Sequence, residues 1–339
     1  MSTLPGTNRY WALIRRPRGD AFNEALEFRE EPVPVPNEGE LLLRNRYLSM
    51  DAGTRMWMSP RLDSFQPPTP VGAKVEGTVI GEVTSSRHPA FRVGDLVRAY
   101  GQWADYSIAR PLAAYVAALD PAEVNTKDYV GTLGANGWTA YVGVLEYGAV
   151  RAGDTFVVSS AAGCTGALAG QIAKIAGCRV IGITGSDAKC RFVREELGFD
   201  AAVNYKTQRV EDVLRELCPQ GVNVYFDNVA GDILDAVLAN MANFGRVALC
   251  GLIGNYGAEG AIPGPYKFDQ VLMKRLSILG FFSPDFYRRE PELNPRLRAW
   301  RDAGRLKLPF EVTGGLERTV EAYATLFRGT NVGKVVVEV

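Results

Sequence analysis

Histidine is almost missing from this chain of 339 residues, which holds one, His88. Cysteine is scarce as well: five stand at 164, 178, 190, 218 and 250, odd in number, scattered, and none before Cys164. A zinc site needs about four Cys, His or carboxylate ligands placed close together, so no metal, and no catalytic zinc in particular, is expected. The same sparseness excludes a disulfide framework and leaves reduced thiols. His88 lies in "SSRHPAF", a proline-flanked turn, and reads as a loop residue rather than a general base. Net charge is absent too. Lys plus Arg number 38 and Asp plus Glu 38, so no global field draws the chain toward nucleic acid or an anionic membrane. No apolar run approaches the ~20 residues of a membrane span, and "YWALI", after the polar "MSTLPGTNRY", is too short for a secretory core. The expectation is a cytoplasmic protein whose partner is a small molecule, with no nucleic acid and no membrane.

What is plentiful is apolar content, 47%, enough for a large core spread over about two domains at this length. The pattern changes near residue 130. Before it, "ELLLRNRYLSM", "VEGTVIGEV", "DLVRAYG" and "WADYSIA" are short alternating or apolar segments, parted by turn clusters such as "EEPVPVPNEGE" and "PPTPVG". Residues 1–130 therefore read as a mostly β domain. From Thr155, the runs "TFVVSS", "RVIGIT", "AAVNY", "NVYFDNV", "RVALCG" and "LSILGFF" alternate with amphipathic stretches such as "TGALAGQIAKIA" and "AKCRFVREEL". Such alternation predicts an α/β domain over 131–305, a doubly wound parallel sheet with helices on both faces. The tail, 306–339, ends in "KVVVEV", a strand expected to rejoin the first domain.

The segment "SSAAGCTGALAGQIAK" sets glycines at 163, 166 and 170 between the first of those strands and a helix with Leu168, Ile172 and Ile175 on one face. A strand, a glycine turn and a helix follow in order. That turn lets the backbone approach a pyrophosphate, and the helix N-terminus offers N–H groups and a positive dipole end, as in a Rossmann domain. Ala161 stands where the usual fingerprint has its first glycine. The second strand, "RVIGIT", runs into Gly185 and Ser186 with Lys189 close behind, which favours NADP over NAD. Asp187 is assigned to the first turn of the following helix, where the dipole accounts for a carboxylate.

These residues resemble the zinc-free medium-chain reductases, in the branch of prostaglandin, alkenal and curcumin reductases. The resemblance spans nearly the whole chain through "YLSMDAGTRMWM", "SSRHPAFRVGDLV", "AAGCTGALAGQIAKIAGCRVIGITGSDAKC", "ELGFDAAVNYK", "YFDNVAG", "FGRVALCGLIGNY" and "TNVGKVVVEV". It implies a GroES-like catalytic domain, a Rossmann NADP-binding domain, a homodimer, and NADPH-dependent reduction of a carbon–carbon double bond conjugated to a carbonyl. The pyrophosphate turn then falls on Gly163, Cys164, Thr165 and Gly166, and the 2′-phosphate contacts on Lys189 and Tyr205. Further cofactor contacts correspond to Asn228, to Cys250, Gly251, Leu252, Ile253 and Tyr256, to Phe281, Phe282 and Ser283, and to Asn331. The pattern departs from the family at "DAGTRMW" and "GANGWTAY", where relatives commonly have D-P-Y-M-R-G and G-M-P-G-[LM]-T-A-Y. Both segments, and with them Asn136, Trp138 and also Glu76, are expected to border the substrate pocket, so no relative's substrate is carried over.

The chemistry asks for a donor aimed at a carbonyl oxygen that gains charge as hydride reaches the β-carbon of an enal or enone. Tyr256 matches the family's loop tyrosine and, with an ordinary pKa of about 10, is a neutral donor rather than a base. Tyr47, in "RYLSMD", is the second candidate. A quinone or ketone reductase using the same hydride, and an NADPH-binding sensor without catalysis, remain open on these residues. Dimerisation is expected through the sheet edge near "LSILGFF".

Overall fold

The computed structural model describes residues 6–62, 66–111, 116–258 and 262–339. They fall into two compact units: 1–130 with 310–331 and 335–339, and 131–309 with 332–334.

In the first unit, β1 (Thr7–Leu13) and β2 (Leu26–Pro32) pair antiparallel, with the short helix α1 (Phe22–Ala25) between them. A larger sheet gathers β3 (Leu41–Ser49), β4 (Glu76–Ser86), β5 (Leu96–Gln102), β6 (Tyr106–Ala109) and β7 (Ala117–Ala118), with α2 (Thr54–Trp57) in the connection after β3. Alternation in these strands turns Leu41, Leu43, Val79, Val83 and Val97 into a core with Trp103 and Tyr323. The buried side chain of Asn45 fixes the sheet's corner by donating to the Ala104 carbonyl at 2.7 Å and the Ser107 hydroxyl at 2.8 Å.

The second unit opens with α3 (Ala135–Val142) and continues as β8 (Thr155–Ser159), α4 (Cys164–Ile175), β9 (Arg179–Thr184), α5 (Asp187–Glu195), β10 (Ala201–Asn204), α6 (Val210–Leu217), β11 (Val222–Asp227), α7 (Gly231–Asn240), β12 (Met241–Leu249), α8 (Asp269–Met273), β13 (Ser277–Gly280) and α9 (Glu290–Asp302). The predicted alternation is thus what the chain forms. Six strands pair in parallel in the order β10-β9-β8-β11-β12-β13. The chain runs outward from β8 to β10, returns to β11 beside β8, and runs outward the other way. Between β8 and β11 the strand order reverses, which is where open α/β sheets hold ligands at the strands' C-terminal ends. Val157, Ile181, Ile183, Val203, Val222 and Val247 are buried, as β-branched residues covered on both faces should be.

The chain closes with β14 (Phe310–Gly314), α10 (Thr319–Arg328) and β15 (Lys334–Glu338), of which β14 and β15 complete the first unit's sheet beside β3. Residues 332–334 count with the second unit because Gly333 N–H donates to the Ala162 carbonyl at 2.8 Å and Lys334 N–H to that of Pro309 at 2.9 Å. No helix of the described residues is long and apolar enough to cross a membrane.

Gly170 on helix α4 leaves room for Phe199; a Cβ there would stand 1.9 Å from the ring. Gly170→Ala is expected to lower the thermal midpoint, with an overpacking cost of about 1–3 kcal/mol. An unchanged midpoint would mean that Phe199 does not pack on this helix.

Candidate active site

The glycine turn between β8 and α4 is built around Ser160, whose φ of +51° takes the left-handed bend that a first glycine usually supplies. Ala161 is buried, and its methyl fills space that Gly182 leaves on β9: a Cβ on Gly182 would sit 2.8 Å from it. The missing first glycine is therefore offset by a positive φ one residue earlier and a glycine across the sheet. Gly166 is required by contact alone, since a Cβ would stand 2.3 Å from the Ser160 carbonyl oxygen. Gly163 caps α4 with no side-chain hydrogen bond, and the first intrahelical bond runs from Ala167 N–H to the Gly163 carbonyl at 2.9 Å. The first turn of α4 is thus shaped for an external anion.

At the end of β9, Gly185, Ser186, Lys189 and Tyr205 come together. The Tyr205 ring lies 3.1 Å from where a Gly185 Cβ would be, and it is 43% exposed. Ser186 caps α5 by accepting from Lys189 N–H at 3.2 Å. Asp187 is the first residue of α5 and accepts from the Asn204 side chain at 2.7 Å, so that carboxylate already has a partner inside the fold. A glycine, a hydroxyl, a lysine and an exposed aromatic face make a donor set that suits a phosphate on an adenosine ribose.

A third group closes the site from below. Asp227, the last residue of β11, is fully buried, and its Oδ1 accepts from Tyr225 Oη (2.8 Å), Ser159 Oγ (3.2 Å), Val229 N–H (2.9 Å) and Ala230 N–H (3.0 Å). Its Oδ2 has no hydrogen-bond partner among the described residues. Burial pushes its carboxyl above the ordinary value despite those donors. Asn228 ties down β8 by donating from its N–H to Ser159 Oγ at 2.9 Å and from Nδ2 to the Ser159 carbonyl at 2.8 Å.

The loop after β12 hangs from this turn. Cys250 and Gly251 N–H donate to the Asp227 carbonyl (2.8 and 3.0 Å), Ile253 N–H to that of Asn228 (3.2 Å), and Gly254 N–H to that of Val229 (3.1 Å). Tyr256 Oη accepts from Leu252 N–H at 3.2 Å. Burial pushes the Tyr256 phenol up to about 12 and the Cys250 thiol well above its usual range, so both are neutral at pH 7.

Other sequence candidates are placed differently. Phe281 follows β13, and its buried ring stacks on Tyr147 at 4.8 Å; its side chain is a core piece, beside Phe282 and Ser283 at the start of a short 3-10 helix. Trp138 corrects the expectation that it borders a pocket: it is 1% exposed, and its Nε1–H donates to Asn294 at 2.7 Å, which draws the indole toward α9. Asn136 contacts Thr165 and Lys334 instead of open space. Tyr47 stands on β3 in the first unit, its hydroxyl donating to Glu338 at 3.4 Å and its ring centre 5.0 Å from the Lys127 ammonium. Asn331 is buried in the same unit. Glu76, at the start of β4, has its carboxyl raised by burial. Asp227 and Ser159 escaped the sequence reading; the available signal was an aspartate directly after the buried run Val224, Tyr225 and Phe226. No cluster of three or more His, Cys, Asp or Glu suited to a metal occurs among the described residues.

Two family models match the chain, the N-terminal domain of oxidoreductase over residues 9–115 and zinc-binding dehydrogenase over 164–299. The NADPH-dependent curcumin reductase of Escherichia coli is 36% identical over 98% of this chain and 97% of its own. The chain belongs to the zinc-free medium-chain dehydrogenase/reductase family. The NADP-dependent 2-alkenal reductase of Nicotiana tabacum is 36% identical over 91% of this chain and 90% of its own. CurA of Vibrio vulnificus, crystallised with NADPH, is 35% identical with a TM-score of 0.91, over 97% of this chain and 98% of that one. Within this medium-chain reductase, the turn at 227–229 is tied to the end of β8 through Ser159 and carries the loop that follows β12.

Because the carboxyl of Asp227 is raised in the folded chain, the folded state binds more protons than the unfolded one above the ordinary value of about 4, and stability falls as pH rises through that window. Asp227→Asn removes this loss. The variant's thermal midpoint should gain on the parent's as pH rises from about 4 toward neutrality. A gap that stays constant, or moves the other way, would show that a charged Asp227 is stabilised in place.

Proposed function

We propose that the chain is an NADPH-dependent reductase of the carbon–carbon double bond of α,β-unsaturated carbonyl compounds, 2-alkenals and enones, in a cytoplasmic setting. The observation that carries this reading is the Cys250–Tyr256 loop: it hangs by backbone bonds from residues 227–229 and presents one neutral, desolvated phenol. The relatives named above, which reduce curcumin or 2-alkenals by name, support the substrate class.

NADPH, when bound, supplies hydride to the β-carbon. In this reading Gly163, Cys164, Thr165 and Gly166 hold its pyrophosphate, and Lys189 and Tyr205 its 2′-phosphate. Asn228, Cys250 to Ile253 and Phe281 to Ser283 supply further contacts. Gly166, which cannot accept a Cβ, and the anion-ready first turn of α4 fit that role. Tyr256 polarises the substrate carbonyl. Its oxygen already accepts from Leu252 N–H, so its proton is the part left to offer, and its raised pKa keeps that proton in place at pH 7. A donor fixed in advance stabilises a developing enolate oxygen without reorganising at the moment of reaction. The α-carbon proton is assigned to solvent.

The outer edge of β13 carries no strand among the described residues, and Phe268 (62%), Leu272 (74%), Met273 (61%) and Leu279 (42%) are exposed on it or on the segment leading to it. An apolar sheet edge of this kind supports a homodimer.

Two measurements test these statements. Tyr256→Phe should lose roughly 10²- to 10³-fold in the rate of enal reduction with NADPH affinity little changed. Parental turnover by that variant, or a parent enzyme that reduces quinones or simple ketones in preference to enals and enones in product analysis, defeats the assignment. Light scattering should find a dimer that Leu279→Lys converts to monomer; a monomeric parent ends the dimer reading.

A further inference from the structure

Lys334 is 1% exposed, yet it carries an ammonium. That ammonium donates to Asn136 Oδ1 at 3.2 Å, and Asn136 Nδ2 donates to Thr165 Oγ1 at 3.1 Å. The three residues lie 198 and 29 positions apart in the chain but within one compact unit. Their polarity is not interchangeable. An ammonium has donors only, so the face that the Asn136 amide turns to Lys334 must be its oxygen. The amide nitrogen is then committed to Thr165, whose hydroxyl oxygen must accept. The hydroxyl proton of Thr165 is left to point elsewhere.

Thr165 is the second residue of α4, inside the turn assigned to the pyrophosphate. The backbone beside it is held in register with the lysine. Gly333 pairs with Gly163 in a parallel bridge, and a Cβ at Gly333, where φ is +68°, would stand 2.1 Å from the Pro309 carbonyl oxygen. Glycine is required at 333 by that φ and by the Pro309 carbonyl, and the bridge to Gly163 sets the segment before Lys334 beside the turn.

We propose that Lys334 and Asn136 are positioning residues for the dinucleotide: together they orient the Thr165 hydroxyl as a donor to the pyrophosphate. This rests on the reading that the turn at 163–166 holds that group. The lysine acts through the amide, and its charge strengthens the chain of donors because a buried site screens it little.

The test compares two probes by direct binding, NADPH by fluorescence and adenosine 2′-monophosphate by calorimetry; the second carries the 2′-phosphate but no pyrophosphate. Asn136→Ala and Thr165→Val should each weaken NADPH about tenfold or more, as expected for losing a hydrogen bond to a charged group, and leave adenosine 2′-monophosphate unchanged. The double variant should bind NADPH no more weakly than Thr165→Val alone, since both act on one hydroxyl. Lys334→Met should behave like Asn136→Ala, which carries the test if the lysine variant does not fold. Unchanged NADPH affinity in Asn136→Ala alongside a loss in Thr165→Val overturns the relay while keeping the turn. No loss in either Thr165→Val or Gly166→Ala removes the turn itself. Equal losses for both probes would show general loosening of the fold and would also overturn the proposal.

Discussion

The carboxyl of Asp227 is the interaction on which the candidate site depends. One oxygen gathers two hydroxyls and two backbone N–H groups, from three residues of its own strand end and turn and from Ser159 on the neighbouring strand. With the side chain fixed, the carbonyls of 227, 228 and 229 face the next loop and receive four of its N–H groups in order. The geometry of Tyr256 is thus set by the bonds that hang its loop from this turn, together with the Leu252 N–H that its oxygen accepts. Buried backbone groups must be paired somewhere, and here the pairing of one loop is the template for the other.

The same economy governs the glycine turn. A strand that must turn sharply into a helix needs one residue at positive φ and one place where backbone meets backbone. Those demands fall on different residues here, the first on Ser160 and the second on Gly166, so the spacing of the usual fingerprint is not preserved although its mechanics are. A serine in the left-handed region carries a modest local cost, and its neighbour Ala161 recovers packing against Gly182.

Local periodicity made the parallel sheet legible, because strands buried on both faces leave unbroken apolar runs and the intervening helices show one apolar stripe. The turn at 163–166 and the cluster of Gly185, Ser186 and Lys189 were legible for a related reason: each lies within a few residues of a strand end. What could not be read depends on partners far along the chain. Trp138 looked like a pocket residue until Asn294, 156 residues away, took its N–H. Phe281 matched a cofactor position by resemblance, but its ring belongs to an aromatic cluster with Tyr147, Phe226 and Phe286. Asn136 was visible only as a departure from a pattern; its meaning came from Lys334, near the other end of the chain.

The placement of charge in the second unit follows from dielectric. At the end of β9 the half-buried Lys189 and the 43% exposed Tyr205 lie near water, where screening weakens single contacts, so that in the proposed reading a doubly charged ribose phosphate gains most from them. In the proposed relay, the glycine turn instead depends on backbone dipoles and on a hydroxyl backed by a buried lysine, where screening is slight and orientation decides strength. The Tyr256 loop has no charge at all: phenol and thiol are both held neutral by burial. In the proposed reading, a site graded in this way grips the fixed charges of a dinucleotide at its far end and keeps the reacting end free of ions. At that end, any charge that appears must come from the reaction, and a neutral donor set in advance has its greatest effect there.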